Sequence, residues 1–248
     1  MKILTQNNKL KKNPKYNTWG LDIAPHKTSG YNVCKFAGAC AEVCIGIHSG
    51  LNKMPRALEA KIRKAKRFFE DRKGFMQDLH HDLTRLNESK DPRQICVRLN
   101  VDSDLPWEVI DPSLFDYSNI IFYDYTKYLT RAKQYVRNEL PANYHLTYSW
   151  SEKSKKRDVN YILSKGGCLN MVCDVPYKPH NLLPIPKRVQ IASKTWKTYD
   201  ADKTDERIPE NNGQGLVTLV RAKFRMADIQ HYVDRGFFVP VVNGKIKI

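Results

Sequence analysis

Three cysteines lie close together near the start of the chain, at Cys34, Cys40 and Cys44. Three thiolates within eleven residues can hold a metal ion or an iron–sulfur cluster and leave one coordination position open for chemistry. Their spacing, Cys-x5-Cys-x3-Cys, differs from the paired C-x2-4-C spacing of zinc fingers, and no second pair follows. We therefore predict that they bind an iron–sulfur cluster, with a structural zinc ion as the alternative.

The other three cysteines stand apart from this loop. Cys96 and Cys173 lie in the apolar runs ICVRLNV and LNMVCDV, where a free cysteine behaves as a small buried hydrophobic residue. We predict that both pack in the core. Cys168 follows two glycines and receives no assignment from its surroundings.

A second group of reactive side chains follows the predicted strands. Active sites of parallel (β/α) folds collect at the carboxyl ends of strands, and five successive predicted strands here end in ionisable or hydroxyl groups. We predict that these groups line one polar cavity beside the cluster. The catalytic candidates are Asp102, Asp104, Asp124, Lys127, Glu152 and Lys194, and the cofactor-binding candidates are Asn100, Ser149 and Asp174.

Two acidic features each have a structural and a functional interpretation. Asp124 lies between two tyrosines in an apolar strand and needs a partner, because an unpaired buried charge is costly. Lys127 or Arg98 would give it a structural role, and a ligand or proton would give it a functional one. The acidic loop at 200–207 has carboxylates that suit Mg²⁺ or Ca²⁺, but it lacks the glycine and terminal glutamate of an EF-hand. A solvated loop is the other interpretation of this segment.

The elements that position these residues are read from periodicity. Apolar residues recur at helical spacing from Pro55 to Asn87 with an interruption at Gly74, which predicts two helices or one broken helix. After Pro92, strand-forming runs alternate with helical patterns, as in parallel βαβ units. Strands are predicted at 95–101, 119–126, 145–150, 169–175, 188–193, 215–221 and 237–242, and further helices at 127–138, 153–164 and 226–233.

This order of elements predicts an α/β protein with a single (β/α) barrel-like domain, incomplete or irregular in its C-terminal third. An open doubly wound sheet is the alternative. We expect residues 1–30 to form a basic N-terminal arm and residues 31–248 to form the domain, with the cysteine loop at 34–44. No G-x-G-x-x-G motif follows a strand, which argues against a dinucleotide site.

The net charge of +16 points to a polyanionic partner such as nucleic acid. Basic residues concentrate at 2–15, 56–73 and 153–157, although no helix-turn-helix, zinc finger or RNA-recognition motif accompanies them. Solvated helix faces are the alternative explanation. No apolar run reaches membrane-spanning length and no secretory signal is visible, so we expect a reducing cytoplasm and no membrane partner.

The motifs together resemble a family of tailed-phage proteins, the gene-product-88-like proteins, over roughly residues 20 to 240. The segments that carry the resemblance are LDIAPHKTSGYNVCKFAGACAEVCI, VRLNVDSDLPWE, FYDYTK, LPANYHLTYSWSE and DADKTDER. The resemblance implies a phage origin and expression in the cytoplasm of the infected bacterial host. It implies no particular reaction.

A more distant similarity is to radical S-adenosylmethionine enzymes, which place three cysteines near the start of a (β/α) barrel. That similarity implies ligation of a [4Fe–4S] cluster by Cys34, Cys40 and Cys44, with His26 or His48 as a candidate fourth ligand. The chain lacks the C-x3-C-x2-C spacing and the glycine-rich motif of those enzymes. S-adenosylmethionine is therefore a cofactor that the similarity suggests and the motifs do not support.

Two functions follow as hypotheses. The first is a phage iron–sulfur enzyme with its cluster at the carboxyl ends of the strands. The second is a basic nucleic-acid-binding factor in which the cysteines hold structural zinc or a structural cluster. A phage inhibitor of a host protein is a third possibility, for which no residue gives direct support.

Overall fold

The computed structural model describes residues 1–6, 13–48, 54–178, 180–223 and 226–248. Ten strands lie within these residues: β1 (Leu4–Thr5), β2 (Tyr16–Leu21), β3 (Gln94–Arg98), β4 (Ile120–Thr126), β5 (Tyr144–Ser149), β6 (Cys168–Pro176), β7 (Arg188–Ile191), β8 (Lys194–Asp200), β9 (Val217–Ala222) and β10 (Ile246–Lys247). They form one sheet in the order β1-β2-β3-β4-β5-β6-β9-β8-β7-β10.

Eight α-helices accompany the strands in the described residues. They are α1 (Ile45–His48), α2 (Pro55–Glu70), α3 (Arg72–Asn87), α4 (Trp107–Ile110), α5 (Leu129–Tyr135), α6 (Lys156–Ser164), α7 (Pro209–Asn212) and α8 (Met226–Asp234). Two 3-10 helices span Gly38–Ala41 and Pro112–Phe115. No helix among the described residues is both long and apolar enough to cross a membrane.

The predicted α/β class is confirmed, and because the sheet is open, the predicted (β/α) barrel-like architecture is not confirmed. Strands β1 and β10 are the two outer strands of the sheet order. A barrel of βα units needs a crossover helix between successive parallel strands. Here Ala192 and Ser193 join β7 directly to β8, and the two strands pair antiparallel. The C-terminal third therefore leaves the βα alternation that closure requires.

The chain divides into two compact units. The first comprises Met1–Ala37, Val43–Asp124 and Leu140–His145. In it β2, β3 and β4 run parallel, and β1 adds to β2 antiparallel. Its core includes the buried rings of Phe68, Phe75 and Trp107, with Phe68 in edge-on contact with the other two at 5.3 Å between ring centroids. Such aromatic packing stabilises beyond the area buried.

The second unit comprises Gly38–Glu42, Tyr125–Glu139 and Leu146–Ile248. Its strands β5, β6, β9 and β8 pair in parallel, β7 pairs antiparallel with β8, and β10 pairs parallel with β7. The apolar face of α6 packs on one side of these strands. The buried cluster there contains Val159, Ile162, Leu163, Leu169, Val189, Ile191, Val217, Leu219 and Ile246.

The predicted break between the two long helices is present, but it lies at Asp71 rather than at Gly74. The Asp71 backbone N–H closes α2 on the Arg67 carbonyl at 2.8 Å, and its side chain caps α3 by accepting from the Gly74 N–H at 3.0 Å. A Cβ at Gly74 would lie 2.3 Å from Asp71 Oδ2. The glycine is therefore needed for the cap rather than for the break.

Most predicted strands are confirmed with shifted ends, and three differences stand out. Strand β2 lies within the segment that was predicted to be an irregular arm. Strand β8 was missed because its sequence, KTWKTYD, is polar. The predicted strand at 237–242 is wrong, since among the described residues this segment forms only the isolated bridges of Val239 and Val242. Of the arm's lysines, Lys9, Lys11 and Lys12 lie outside the described residues.

Candidate functional site

An ion-pair cluster joins the carboxyl ends of β2 and β3 to helix α2 in the first unit. Lys61 Nζ lies 2.5 Å from Asp102 Oδ2 and 2.9 Å from Asp22 Oδ1, and the Lys61 side chain is only 7% exposed. Asp22 Oδ1 is buried without a hydrogen bond of good geometry, although it is within ion-pair distance of the ammonium. The two carboxylates therefore compete for one cation.

Burial and this competition shift the ionisation of both partners. Burial, followed by the neighbouring charge of Asp102, raises the pKa of Asp22 to about 7. Burial alone would lower the pKa of Lys61, but the charges of Asp102 and Asp22 outweigh it and raise that pKa. Lys61 is therefore an ammonium ion near neutral pH, the range in which Asp22 titrates. Asp102 was predicted as a site residue from the sequence, whereas Asp22 and Lys61 were not.

Asn100 and Asp124, two further predicted site residues, are hydrogen-bonded to each other in the first unit. Asp124 Oδ1 accepts from the Asn100 N–H at 2.6 Å, and Oδ2 accepts from Asn100 Nδ2 and the Tyr144 hydroxyl. Asn100 Oδ1 accepts from Ser103 Oγ and the Leu105 N–H, both at 2.8 Å. The partners of Asp124 in this unit therefore include a backbone amide, a side-chain amide and a phenol. The arrangement holds the loop 100–105 against β4.

Cys34 and Cys44 also belong to the first unit. The His26 backbone N–H donates to Cys34 Sγ at 3.4 Å, and the Cys34 thiol donates to the Asp102 carbonyl at 3.5 Å. Cys44 precedes α1, and its carbonyl accepts from the N–H groups of Ile47 and His48. The cysteine loop therefore begins beside the Asp22–Lys61–Asp102 cluster.

Cys40 lies in the second unit, on the short 3-10 helix Gly38–Ala41. Glu152, another predicted site residue, approaches this helix: its Oε1 accepts from the Ala39 N–H at 3.2 Å, and its Oε2 is buried without a hydrogen bond. Gly38 has φ +54°, and a Cβ there would lie 2.1 Å from Glu152 Oε1. Only glycine fits this contact.

A metal ion or cluster needs several ligand side chains that converge on one point. In residues 1–6, 13–48, 54–178, 180–223 and 226–248, no three histidine, cysteine or acidic side chains form a group that could hold a metal ion. The three cysteines of the loop are half-buried and form no disulfide bonds. Because no such ligand group is present among the described residues, we derive no catalytic step from a cluster.

The core assignments of the remaining cysteines are clearer. Cys96 and Cys173 are fully buried, which confirms the predicted core packing. Burial raises the pKa of Cys173 to about 11, and it also raises the pKa of Cys168. These thiols are therefore protonated at neutral pH, which makes them poor nucleophiles and poor metal ligands.

The other predicted site residues are dispersed. Asp104 lies in the first unit, where its N–H donates to the Val33 carbonyl. In the second unit, Lys127 lies 5.9 Å from the ring centroid of Phe237, and Ser149 is buried at the end of β5. Asp174 accepts from the Val241 N–H, and Lys194 is exposed at the start of β8.

The acidic loop of the second unit holds an arginine. Arg221, only 2% exposed, makes two hydrogen bonds to the carboxylate of Asp200, at 2.8 and 2.9 Å, and a third to Asp202 at 2.9 Å. The hydrogen bonds that the guanidinium donates to Asp200 and then to Asp202 raise the pKa of Arg221. Two of the carboxylates proposed for Mg²⁺ or Ca²⁺ therefore serve as partners of a buried guanidinium.

An unneutralised positive surface lies at the edge formed by β7, β8 and β10. Six exposed basic side chains line it, and we call this set the basic edge: Lys187, Arg188, Lys194, Lys197, Lys245 and Lys247. None has an acidic partner in the part of the chain that the structure describes. Arg188 and Lys197 lie directly opposite each other on adjacent strands.

Sequence reasoning missed the basic edge, although a signal for it exists. The segment 187–199 contains four of the chain's basic residues and no acidic one, and the last six residues also contain no acidic one. The pairing of these two segments, separated by almost 50 residues, is visible only in the register of β10 with β7. Isolated in sequence, each segment is too short to stand out as a basic patch.

These features define an α/β protein with an open sheet, a buried carboxylate–lysine cluster and a positively charged sheet edge. The chain belongs to the gene product 88 family (GP88), a phage gene-product family whose model matches residues 1–235. The resemblance seen in the sequence is thereby confirmed for the phage family, and the similarity to radical S-adenosylmethionine enzymes receives no support. No curated protein and no solved structure matches the chain.

Proposed function

We propose that this protein binds nucleic acid through the basic edge, in the cytoplasm of the infected host. The observation that carries the proposal is the set of six exposed cations without an acidic partner in the described part of the chain. Unpaired surface cations attract phosphates because binding releases the counterions condensed on nucleic acid. Nothing within 187–199 repels a phosphate backbone.

A protective role is the main competing explanation. Lysines on an outer strand prevent edge-to-edge pairing with other chains, and this accounts for Lys245 and Lys247 around β10. It does not account for Arg188 and Lys197, because β7 and β8 are both paired on each side. Like charges placed directly across two strands lower stability. A phosphate between them would offset that cost.

Salt dependence provides the first test. If the three side chains that the strand register places on one face, Arg188, Lys197 and Lys247, contact phosphates, the logarithm of the association constant should fall with the logarithm of salt concentration with a slope of roughly −3. Affinity would then fall by roughly 40-fold between about 50 and 200 mM salt. Binding that does not respond to salt would remove the proposal.

Charge-removal variants locate the surface. We expect Arg188→Gln/Lys197→Gln to weaken nucleic-acid binding by about 50-fold at about 100 mM salt and to make the salt slope shallower by about 2. The matched control is Lys90→Gln/Lys165→Gln, which removes the same charge at two exposed positions outside the basic edge. An equal loss in both variants would mean that only net charge matters.

The predicted patch at 153–157 provides a rival surface in the same unit. Lys155 and Arg157 are exposed beside the start of α6. Since α6 packs on the apolar side of the strands, these side chains are not on the face that carries Arg188 and Lys197. A larger loss in Lys155→Gln/Arg157→Gln than in the edge variant would transfer the proposal to that patch.

An iron–sulfur enzyme is the second proposal, and one contact favours it. The His26 N–H directed at Cys34 Sγ is the kind of hydrogen bond that tunes cluster sulfurs. Metal and sulfide content of protein purified without oxygen, with a visible spectrum, tests it. Iron and sulfide that disappear in Cys34→Ala, Cys40→Ala and Cys44→Ala would support the cluster. One zinc per chain would support the structural alternative, and a metal-free protein would remove both.

A further inference from the structure

The two faces of the basic edge differ in character. Strand register places Arg188 opposite Lys197, and Gln190 opposite Thr195 and beside Lys247, so that these five side chains share one face. The opposite face carries the buried Val189, Ile191 and Ile246 with the half-buried Trp196, and packs into the core; Lys194, opposite Ile191, is exposed at the end of this side. The outward face is therefore polar and basic, with no acidic side chain among these five positions.

This face offers no fully exposed ring for a base to stack on, because Tyr199, which shares the face with Lys197, is half-buried. The three strands contain two aromatic residues, Trp196 and Tyr199. Trp196 packs on the core side and donates from Nε1 to Asn160 Oδ1 at 2.8 Å. The Tyr199 hydroxyl is 2.9 Å from Thr204 Oγ1, and the Arg207 guanidinium carbon lies 5.5 Å from the Tyr199 ring centroid. Both rings are thus engaged within the protein.

Proteins that bind single strands without sequence preference rely on stacked aromatic side chains as well as on charge. A surface that has only cations must obtain its affinity from phosphates. A duplex carries one phosphate charge per about 1.7 Å of its axis, and a single strand within it carries one per about 3.4 Å. Charge density therefore favours the duplex on this surface.

The width of the sheet also decides which part of a duplex it can meet. A two-stranded ribbon fits the major groove, which is about 12 Å wide. The basic edge has three strands, and β8 continues into β9, so the sheet is wider than such a ribbon. The Gln190 amide, a group suited to reading bases, donates to the Ala192 carbonyl at 3.0 Å. Contacts are therefore restricted to the outer phosphate backbone.

We infer that the basic edge selects double-stranded over single-stranded nucleic acid and binds it without reading its sequence. This inference rests on the proposed function and assigns its substrate class. The shared ligand chemistry is two closely spaced phosphate backbones, which duplex DNA and duplex RNA both supply. The face that carries Arg188, Lys197 and Lys247 is the contact surface.

The test is fluorescence anisotropy with labelled oligonucleotides of equal length, using the full chain. The probes are an A·T-rich DNA duplex, a G·C-rich DNA duplex, an RNA duplex and a thymidine single strand. We expect the preferred duplex to bind about tenfold more tightly than the single strand at about 100 mM salt, and the two DNA duplexes to bind within about twofold of each other. The DNA and RNA arms identify the source of the duplex.

Failure of this inference is distinguishable from failure of the proposed function. A single strand that binds as tightly as the duplexes, or a large difference between the two DNA sequences, would overturn the inference and leave nucleic-acid binding standing. No binding of any probe at low salt would remove both. Duplex binding that survives Arg188→Gln/Lys197→Gln while Lys90→Gln/Lys165→Gln behaves as wild type would show that another surface selects the duplex.

Discussion

Helix α2 and the basic edge are both rich in lysine and arginine, but the structure uses their charges in opposite ways. Lys61 of α2 is buried between two carboxylates, and Lys64 donates to the Ile3 carbonyl at 3.2 Å. Arg67 pairs with Asp71 and Asp78. These three basic residues of α2 are thus tied to the first unit, whereas those of the basic edge have no acidic partner among the described residues.

The difference shows that a basic stretch in the sequence reveals how much charge is present, but not how much of it is free to bind a partner. The segment 56–73 is the denser of the two in sequence and was predicted as a polyanion site. Part of its charge is offset by acidic side chains that come from distant segments, such as Asp22 and Asp102. A partner can use only the charge that the fold leaves unpaired and exposed.

The largest expected effect comes from removing the buried ammonium of Lys61 from its cluster. Lys61→Met should lower the free energy of unfolding by about 3–5 kcal/mol, because it leaves two carboxylates close together without their cation. Urea denaturation measures this. Lys66→Met, at an exposed position of the same helix, should change stability by less than about 0.5 kcal/mol. Equal small effects in both variants would show that the cluster is not a stability determinant.

The second effect is a pH dependence that belongs to the buried cluster alone. The pKa of Asp22 is raised from 3.8 to about 7 in the folded protein by burial, then by Asp102. Between these values the folded chain binds more protons than the unfolded chain, so stability should fall as pH rises from about 4 to about 7. Lys61 stays charged throughout this window, because its pKa is raised.

Asp22→Asn should flatten that dependence, which thermal unfolding at a series of pH values would measure. The exposed Asp116→Asn serves as the control and should keep the wild-type profile. A wild-type profile in Asp22→Asn would contradict the placement of Asp22 in the cluster.

The smallest expected effect comes from removing two exposed charges of the basic edge. Arg188→Gln/Lys197→Gln should raise stability by about 0.2–1 kcal/mol while it weakens nucleic-acid binding, because it removes two like charges that lie directly opposite. Urea denaturation at low salt gives the change, and added salt should shrink it. A loss of stability would show that the two side chains make favourable contacts within the protein.

Secondary structure was predictable wherever the apolar residues followed a clear strand-like or helical pattern. The apolar runs of β3, β4, β5 and β6 and the helical spacing of α2 and α3 predicted elements that are present with shifted ends. Strand β8 was not predictable in this way, because KTWKTYD has only a few apolar side chains. It forms because its main chain pairs with β7 on one side and β9 on the other. Such pairing leaves little trace in local hydrophobicity.

The candidate site was predictable only in part. Asn100, Asp102 and Asp124 attracted attention because polar groups at strand ends collect in parallel sheets, and the structure places them in one unit. Lys61 had no such signal, since in sequence it is one basic residue among many on an amphipathic helix. Its role depends on carboxylates from β2 and β3 that lie about 40 residues away on either side.

The sequence by itself determined the α/β class, the two long helices, the burial of Cys96 and Cys173 and the family, because each is encoded in local periodicity or in continuous motifs. Only the tertiary structure decided that the sheet is open and which cations are neutralised. Both outcomes depend on which distant segments become neighbours, and no local pattern records that. The basic edge exists because the C-terminal residues return beside β7.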